Sequence, residues 1–199
     1  MKKFKPVFRV FVLSGILLAL SGCFGRGEND PFLSLHSRDA RLAQKWKMVS
    51  LQGTSVNTID GQSTTTRYEF DGSNIFVTTD GTTESYGYDY RLDIRDNGDI
   101  VSTETFTNAS NPNETIQTST KNSFWFWSND YQNKTTVNLD ITGILSDYPS
   151  YDIPRLAWSD MTLVVSFSDN YQTIIDTTVV SSSNTVDFEI KFDFDNGRN

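Results

Sequence analysis

The segment TVDFEIKFDF, Thr185 to Phe194, decides the fold class. Val186, Phe188, Ile190, Phe192 and Phe194 share one parity, and Asp187, Glu189, Lys191 and Asp193 share the other. Successive side chains of a β-strand point to opposite faces, so this alternation marks a strand with one buried and one wetted face.

The same period of two recurs upstream. TTRYEF (Thr65 to Phe70) sets Tyr68 and Phe70 against Arg67 and Glu69. YGYDYRLDI (Tyr86 to Ile94) sets Tyr86, Tyr88, Tyr90, Leu92 and Ile94 against Asp89, Arg91 and Asp93. From Lys45 onward, Trp46, Met48 and Ser50 share a face opposite Lys47 and Val49. Three dipeptides, Asp71-Gly72, Asp80-Gly81 and Asn97-Gly98, supply the positive φ angles of tight hairpins. They predict four consecutive antiparallel strands ending near Phe106. NASNPNE (Asn108 to Glu114) is expected to be a loop, and the next strand runs to Trp127. TTVNLDIT (Thr135 to Thr142) returns with Val137, Leu139 and Ile141 inside, and Gly143 to Asp152 is the longest expected loop. Pro154 confines the piece after it to an edge or a strand start. The only helical piece is Leu35 to Gln44, with Ser37 as cap, Asp39 in the first turn, and Leu35 and Leu42 on one face.

The expectation is an all-β fold of about ten strands, an antiparallel up-and-down meander closed around one interior, with a short N-terminal helix. A transmembrane barrel turns its apolar face outward. The charged outer faces read here oppose that arrangement.

The N-terminus carries an address. Lys2, Lys3, Lys5 and Arg9 precede an apolar run, Val10 to Leu20, followed by Ser21, Gly22 and Cys23. A basic head, a short apolar core and small residues at a cut site are the pattern of a secretory signal peptide. A membrane span needs about 20 apolar residues, so this run is too short. LSGC (Leu20 to Cys23) resembles the bacterial lipobox. That resemblance implies cleavage after residue 22 and acylation of Cys23, the only cysteine, as the new N-terminus. It also implies a cell-envelope protein anchored in the outer membrane, because Phe24 rather than Asp follows the cysteine. Whether it faces the periplasm or the cell surface stays open. The expected division is a lipoprotein signal peptide over 1–22, a lipidated Cys23 and flexible tether over 23–34, and one domain over 35–199.

Removing residues 1–22 takes away Lys2, Lys3, Lys5 and Arg9, so the formal charge moves from -8 to -12. So acidic a chain lacks the basic patch that nucleic acid requires. It would hold to a bilayer through its acyl chains rather than by charge.

Two stretches resemble the bacterial lipocalin-like lipoproteins of Bacteroidetes type: ARLAQKWKMVSLQG (Ala40 to Gly53), a helix running into a Lys-Trp-Lys strand, and IPRLAWSDMTLVV (Ile153 to Val165), their late strand-turn-strand. Gln44 stands where lipocalins place the glycine of Gly-x-Trp. The resemblance implies a lipocalin-like barrel, Trp46 as a structural residue of its base, and a cup for a small ligand.

The residues offer little catalysis. His36, the only histidine, lies beside the tether, away from any nucleophile, and reads as solvated. No His/Cys cluster with zinc spacing is present. Asp93 to Asp99 lacks the spacing of a calcium loop, and a hairpin turn explains Asp96, Asn97 and Gly98. The expectation is a protein without catalytic residues, metal or cofactor. Asp176 to Thr178 resembles a short O-glycosylation motif.

The aromatic residues point to binding. Tyr86, Tyr88 and Tyr90 present apolar faces with hydroxyl handles toward the interior, suited to an amphipathic ligand or equally to a packed core. In FWFW (Phe124 to Trp127), Trp125 and Trp127 oppose Phe124 and Phe126, so one pair fills the core while the other is covered or exposed. Tyr86, Tyr88, Tyr90, Trp125 and Trp127 are therefore the candidate ligand contacts. The function expected is a cup for a small apolar or amphipathic molecule; the alternative is a filled barrel whose surface binds another envelope protein. Gaps among the tyrosines favour the first. A filled interior with an exposed FWFW pair favours the second.

Overall fold

The computed structural model describes residues 29–31, 36–128, 134–175 and 178–197. The signal peptide, Cys23 and most of the Asp176 to Thr178 motif lie outside these residues.

Ser37 caps a short helix, α1 (Arg38–Leu42), its Oγ accepting the Ala40 amide at 3.2 Å. Ten strands follow: β1 (Lys45–Ile59), β2 (Gln62–Phe70), β3 (Asn74–Thr79), β4 (Thr82–Ile94), β5 (Asp99–Asn108), β6 (Asn111–Trp127), β7 (Thr136–Leu139), β8 (Ser150–Leu156), β9 (Asp160–Ile175) and β10 (Thr178–Phe194). Each pairs antiparallel with its neighbour in sequence, and β1 pairs with β10, so the meander closes in a ring. The start of β1 also pairs with β4, Trp46 opposite Leu92, tightening one end.

The turns follow the dipeptides. Asp80 and Gly81 both have positive φ, 47° and 87°, as do Asp60 and Gly61 at the β1–β2 turn, 50° and 77°. Both pairs have the two left-handed residues that match a hairpin to strand twist. The expected loop over 108–114 is instead a tight turn at Ala109-Ser110, with β6 resuming at Asn111.

Alternation holds along β10 to Phe192; Val186, Phe188, Ile190 and Phe192 are buried, while Phe194, at the end, is 42 % exposed. On β1 a bulge between Met48 and Ser50 adds one residue to the strand. The inward series is therefore Trp46, Met48, Leu51 and Gly53, replacing the expected Ser50. At Gly53 a Cβ would overlap the Phe188 ring, so the missing side chain lets that ring lie against the backbone.

The ring has two unlike ends. The base gathers α1, the β4–β5 and β8–β9 turns and the start of β1. Leu42 and Trp46 are wholly buried there, and the indole Nε1 of Trp46 donates to the Leu42 carbonyl at 2.9 Å. The other end carries the β1–β2, β3–β4, β5–β6 and β9–β10 hairpins, polar arms rich in Ser, Thr and Asn.

Asn29 to Pro31, expected in the tether, belong to the folded base. The Asn29 amide donates to the Pro154 carbonyl at 2.9 Å, and Asp30 is 3 % exposed. Asp30 Oδ2 takes Arg38 at 2.7 Å and Arg41 at 3.2 Å, while its Oδ1 accepts the Leu156 amide at 2.6 Å. Arg41 reaches on to the Leu156 carbonyl. Burial lowers the Arg38 pKa, and Asp30 opposes that shift. One carboxylate thus serves two buried guanidinium groups that would otherwise be left without an opposite charge.

Candidate functional site

Tyr86, Tyr88 and Tyr90 point inward from β4, as their parity requires, but they differ. Tyr88 and Tyr90 are buried and stack at 6.3 Å. Tyr86 is only partly buried and donates to Glu84 at 2.9 Å, which raises its pKa. Phe70 and Phe106 close on the Tyr88 ring at 5.4 and 5.0 Å.

The neighbouring strand brings a carboxylate inside. On β5, Ile100, Ser102, Glu104 and Phe106 share the inward parity, and Glu104 is 4 % exposed. Its Oε1 accepts the Tyr88 hydroxyl at 2.9 Å and the Ile144 amide at 3.1 Å. Most acidic residues fall on the outward parity of their strands. Glu104 departs because donors meet it inside, and burying a charged group requires such partners. Burial pushes the Tyr88 hydroxyl far above its ordinary pKa, and the adjacent Glu104 adds to the shift.

The Ile144 donor comes from the connection between β7 and β8, which enters the ring. It makes a 3-10 turn at Gly143–Leu145. The Thr142 amide donates to Ser102 Oγ at 2.9 Å, and the Thr142 carbonyl accepts the Tyr90 hydroxyl at 2.9 Å. The Leu145 carbonyl accepts the Tyr151 hydroxyl at 2.8 Å. Ile141 and Leu145 are buried, and Tyr148 packs on Phe188 at 5.3 Å. Burial holds the Tyr90 and Tyr151 hydroxyls neutral well beyond their usual range. Gly143 is required twice over: its φ is 78°, and a Cβ would fall 2.3 Å from the Glu104 carboxylate. The segment is a plug bonded directly to Tyr90 and, through Glu104, to Tyr88, two of the three tyrosines that sequence suggested for a ligand.

Above the plug, toward the hairpin arms, Tyr68, Tyr86 and Phe106 are partly buried. They form an aromatic mouth with Phe188, which meets Tyr68 at 5.5 Å.

Trp125 and Trp127 lie away from the tyrosines, inward at the base, 9 % and 8 % exposed. Trp125 donates to the Arg95 carbonyl at 2.7 Å, and Trp127 to Asp39 Oδ1 at 2.7 Å. Lys134 also binds Asp39, at 2.7 Å. Burial opposes ionisation of Asp39, but these hydrogen bonds outweigh it and its pKa is lowered. Both indoles thus join α1 and the β4–β5 turn to the sheet. Their partners Phe124 and Phe126 face outward, 59 % and 52 % exposed, with rings 6.3 Å apart at 20°. Asp99 and Asn138 stand opposite them in register, and the nearby Asp140 holds Lys121 and Ser123.

His36 is exposed and stacks on Trp158 at 4.3 Å, at the rim of the base. Among the described residues, no group of three or more His, Cys, Asp or Glu is placed to hold a metal ion. Among the same residues, no helix is long and apolar enough to cross a membrane. Compared with protein families, with curated proteins and with solved structures, the chain matches none.

Proposed function

We propose that the protein is a non-enzymatic, lipid-anchored lipoprotein of the outer membrane, held through acylated Cys23, whose lipocalin-like barrel is filled and whose outer surface binds another envelope protein. One observation carries this choice over a ligand cup. The Gly143–Leu145 turn sits inside the ring, with the Ile144 amide on Glu104 beside the Tyr88 hydroxyl. A ligand reaching Tyr88 would have to break that contact and leave a buried carboxyl short of partners. The exposed Phe124–Phe126 pair is the surface expected of a filled ring that works from outside, because paired exposed aromatics suit a binding face.

Two measurements test the reading. Native mass spectrometry of residues 24–199, mixed with an envelope lipid and glycan extract, is expected to give the bare mass. A photoreactive side chain at Phe126 in the full chain is expected to cross-link one envelope protein in cells, and the same side chain at Thr118 none. A discrete small-molecule adduct on the purified chain, with no cross-link from Phe126, overturns the reading. That outcome favours the second reading, an amphipathic ligand held at the mouth, for which the half-buried Tyr68, Tyr86 and Phe106 speak.

A further inference from the structure

The point where the chain joins the folded body fixes how that body can stand on a membrane. We infer that the closed base seats on the lipid headgroup layer, with Trp158 and Phe194 in that layer and the hairpin arms pointing away. This inference rests on acylation of Cys23.

Five residues, Phe24 to Glu28, separate Cys23 from Asn29. Fully extended, six steps of chain span roughly 20 Å. Asn29 does not swing free, for its amide is bonded to the Pro154 carbonyl and its carbonyl accepts Arg155 at 2.9 Å. One residue on, Asp30 is locked to Arg38, Arg41 and Leu156. These contacts lie on the last turn of β8 before the β8–β9 turn, so the anchor is tied to the base.

The far end is out of reach. β9 runs from Asp160 at the base to Ile175 near the arm tips, 16 residues. At about 3.3 Å per residue that is roughly 50 Å along the strand. A tether of about 20 Å cannot stand the domain on its arm tips while the acyl chains stay inserted, but it reaches the base easily.

The rim of the base suits that place. Trp158 in the β8–β9 turn is 49 % exposed, and Phe194 at the end of β10 is 42 % exposed. They are neighbours, since the Phe194 amide donates to the Ser159 carbonyl at 2.8 Å. Tryptophan gathers at the headgroup level, where its ring finds an apolar side and its N–H stays wet. The seating leaves Phe124 and Phe126, on the outer wall of β6, open to a protein alongside in the same membrane.

The test uses the full chain, purified acylated from a bacterial host and reconstituted into phosphatidylethanolamine–phosphatidylglycerol vesicles containing headgroup-nitroxide lipid. A fluorophore is attached at S159C in the base, or at A109C in the β5–β6 turn. Intact mass reports the acylation independently. Quenching several-fold stronger at residue 159 than at 109, and weakened for W158S by a wider standoff, is the expected result. Equal quenching at the two sites in an acylated chain overturns the seating and leaves the anchor standing. A cleaved, unacylated mass overturns the anchor and the seating together.

Discussion

The Tyr88 hydroxyl donates to Glu104 Oε1 at 2.9 Å, and the same oxygen accepts the Ile144 amide at 3.1 Å. Two adjacent strands and an inserted loop are thereby joined at one buried atom. Tyr88→Phe removes one donor and leaves the ring in place. It is expected to cost about 1–3 kcal/mol in urea unfolding, the usual effect of leaving a buried polar group short of a partner. Glu104→Gln keeps an acceptor for both donors and is expected to cost less than Glu104→Ala, which strands both.

Gly143→Ala strikes the same cluster from the loop. The new methyl meets the Glu104 carboxylate, and the backbone is held at a φ of 78°. Both effects are unfavourable, so the substitution is expected to lower the unfolding midpoint by more than Gly61→Ala, where the turn is strained but open. Equal losses at the two sites would mean that Gly143 does not pack on Glu104.

Asn29 and Asp30 are part of the folded base. A chain starting at Asn29 is expected to unfold at the same urea concentration as one starting at Phe24. Asp30→Ala leaves two buried guanidinium groups without their carboxylate and is expected to cost about 3–5 kcal/mol, a large part of an ordinary domain's stability. A loss under 1 kcal/mol would contradict the Asp30 contacts.

Acid and alkali act on different groups. The Asp39, Asp71 and Asp140 carboxyls have pKa values below 3.8 in the folded chain. A depressed folded value contributes stability above the unfolded pKa and loses it as pH falls through the folded one. The thermal midpoint should therefore hold from pH 8 to about 5 and fall below about 4. Asp39→Asn should flatten that acid limb. Tyr88, Tyr90 and Tyr151 run the other way: their folded values lie above 10.0, so neutrality favours the fold until pH passes that value. Phenolate absorbance should rise in two stages, the exposed hydroxyls first and the buried ones together with unfolding.

Much of this architecture is legible in the sequence because buried and wetted faces alternate along most of the strands. Thr185 to Phe192 and Tyr86 to Ile94 lie as their parity says. Asp60-Gly61, which is not among the three turns read from the sequence, carries the same signal at the β1–β2 hairpin as Asp80-Gly81 does at its own. The bulge after Met48 leaves no trace in composition, and it moves the inward face from Ser50 to Leu51. Pro112 and three asparagines suggest a loop at 108–114, yet the hairpin arm continues there, with β5 and β6 paired as far as Asn108 and Asn111. The site was half visible. The parity of Ile100, Ser102, Glu104 and Phe106 places a carboxylate inside beside Tyr88, but its second donor is the amide of residue 144, 40 positions away. No local pattern announces that a loop of Gly, Ile and Leu folds inward.

The outer pair gives a clean contrast. Phe124→Ser should leave stability within about 0.5 kcal/mol, as exposed substitutions usually do, and sharply weaken cross-linking from the photoreactive side chain at position 126. Trp127→Phe, losing the bond to Asp39, should cost about 1 kcal/mol and spare the cross-link.

Amide hydrogen exchange at Thr142 and Ile144 tests the filled interior most directly. Both amides lie in an irregular connection yet donate to Ser102 and Glu104 inside the ring. The account predicts exchange as slow as at Tyr90 and Leu92 of β4, approaching the rate set by global unfolding. Exchange as fast as at the Ala109-Ser110 turn would mean that the plug swings out, and that the tyrosines line an open cup.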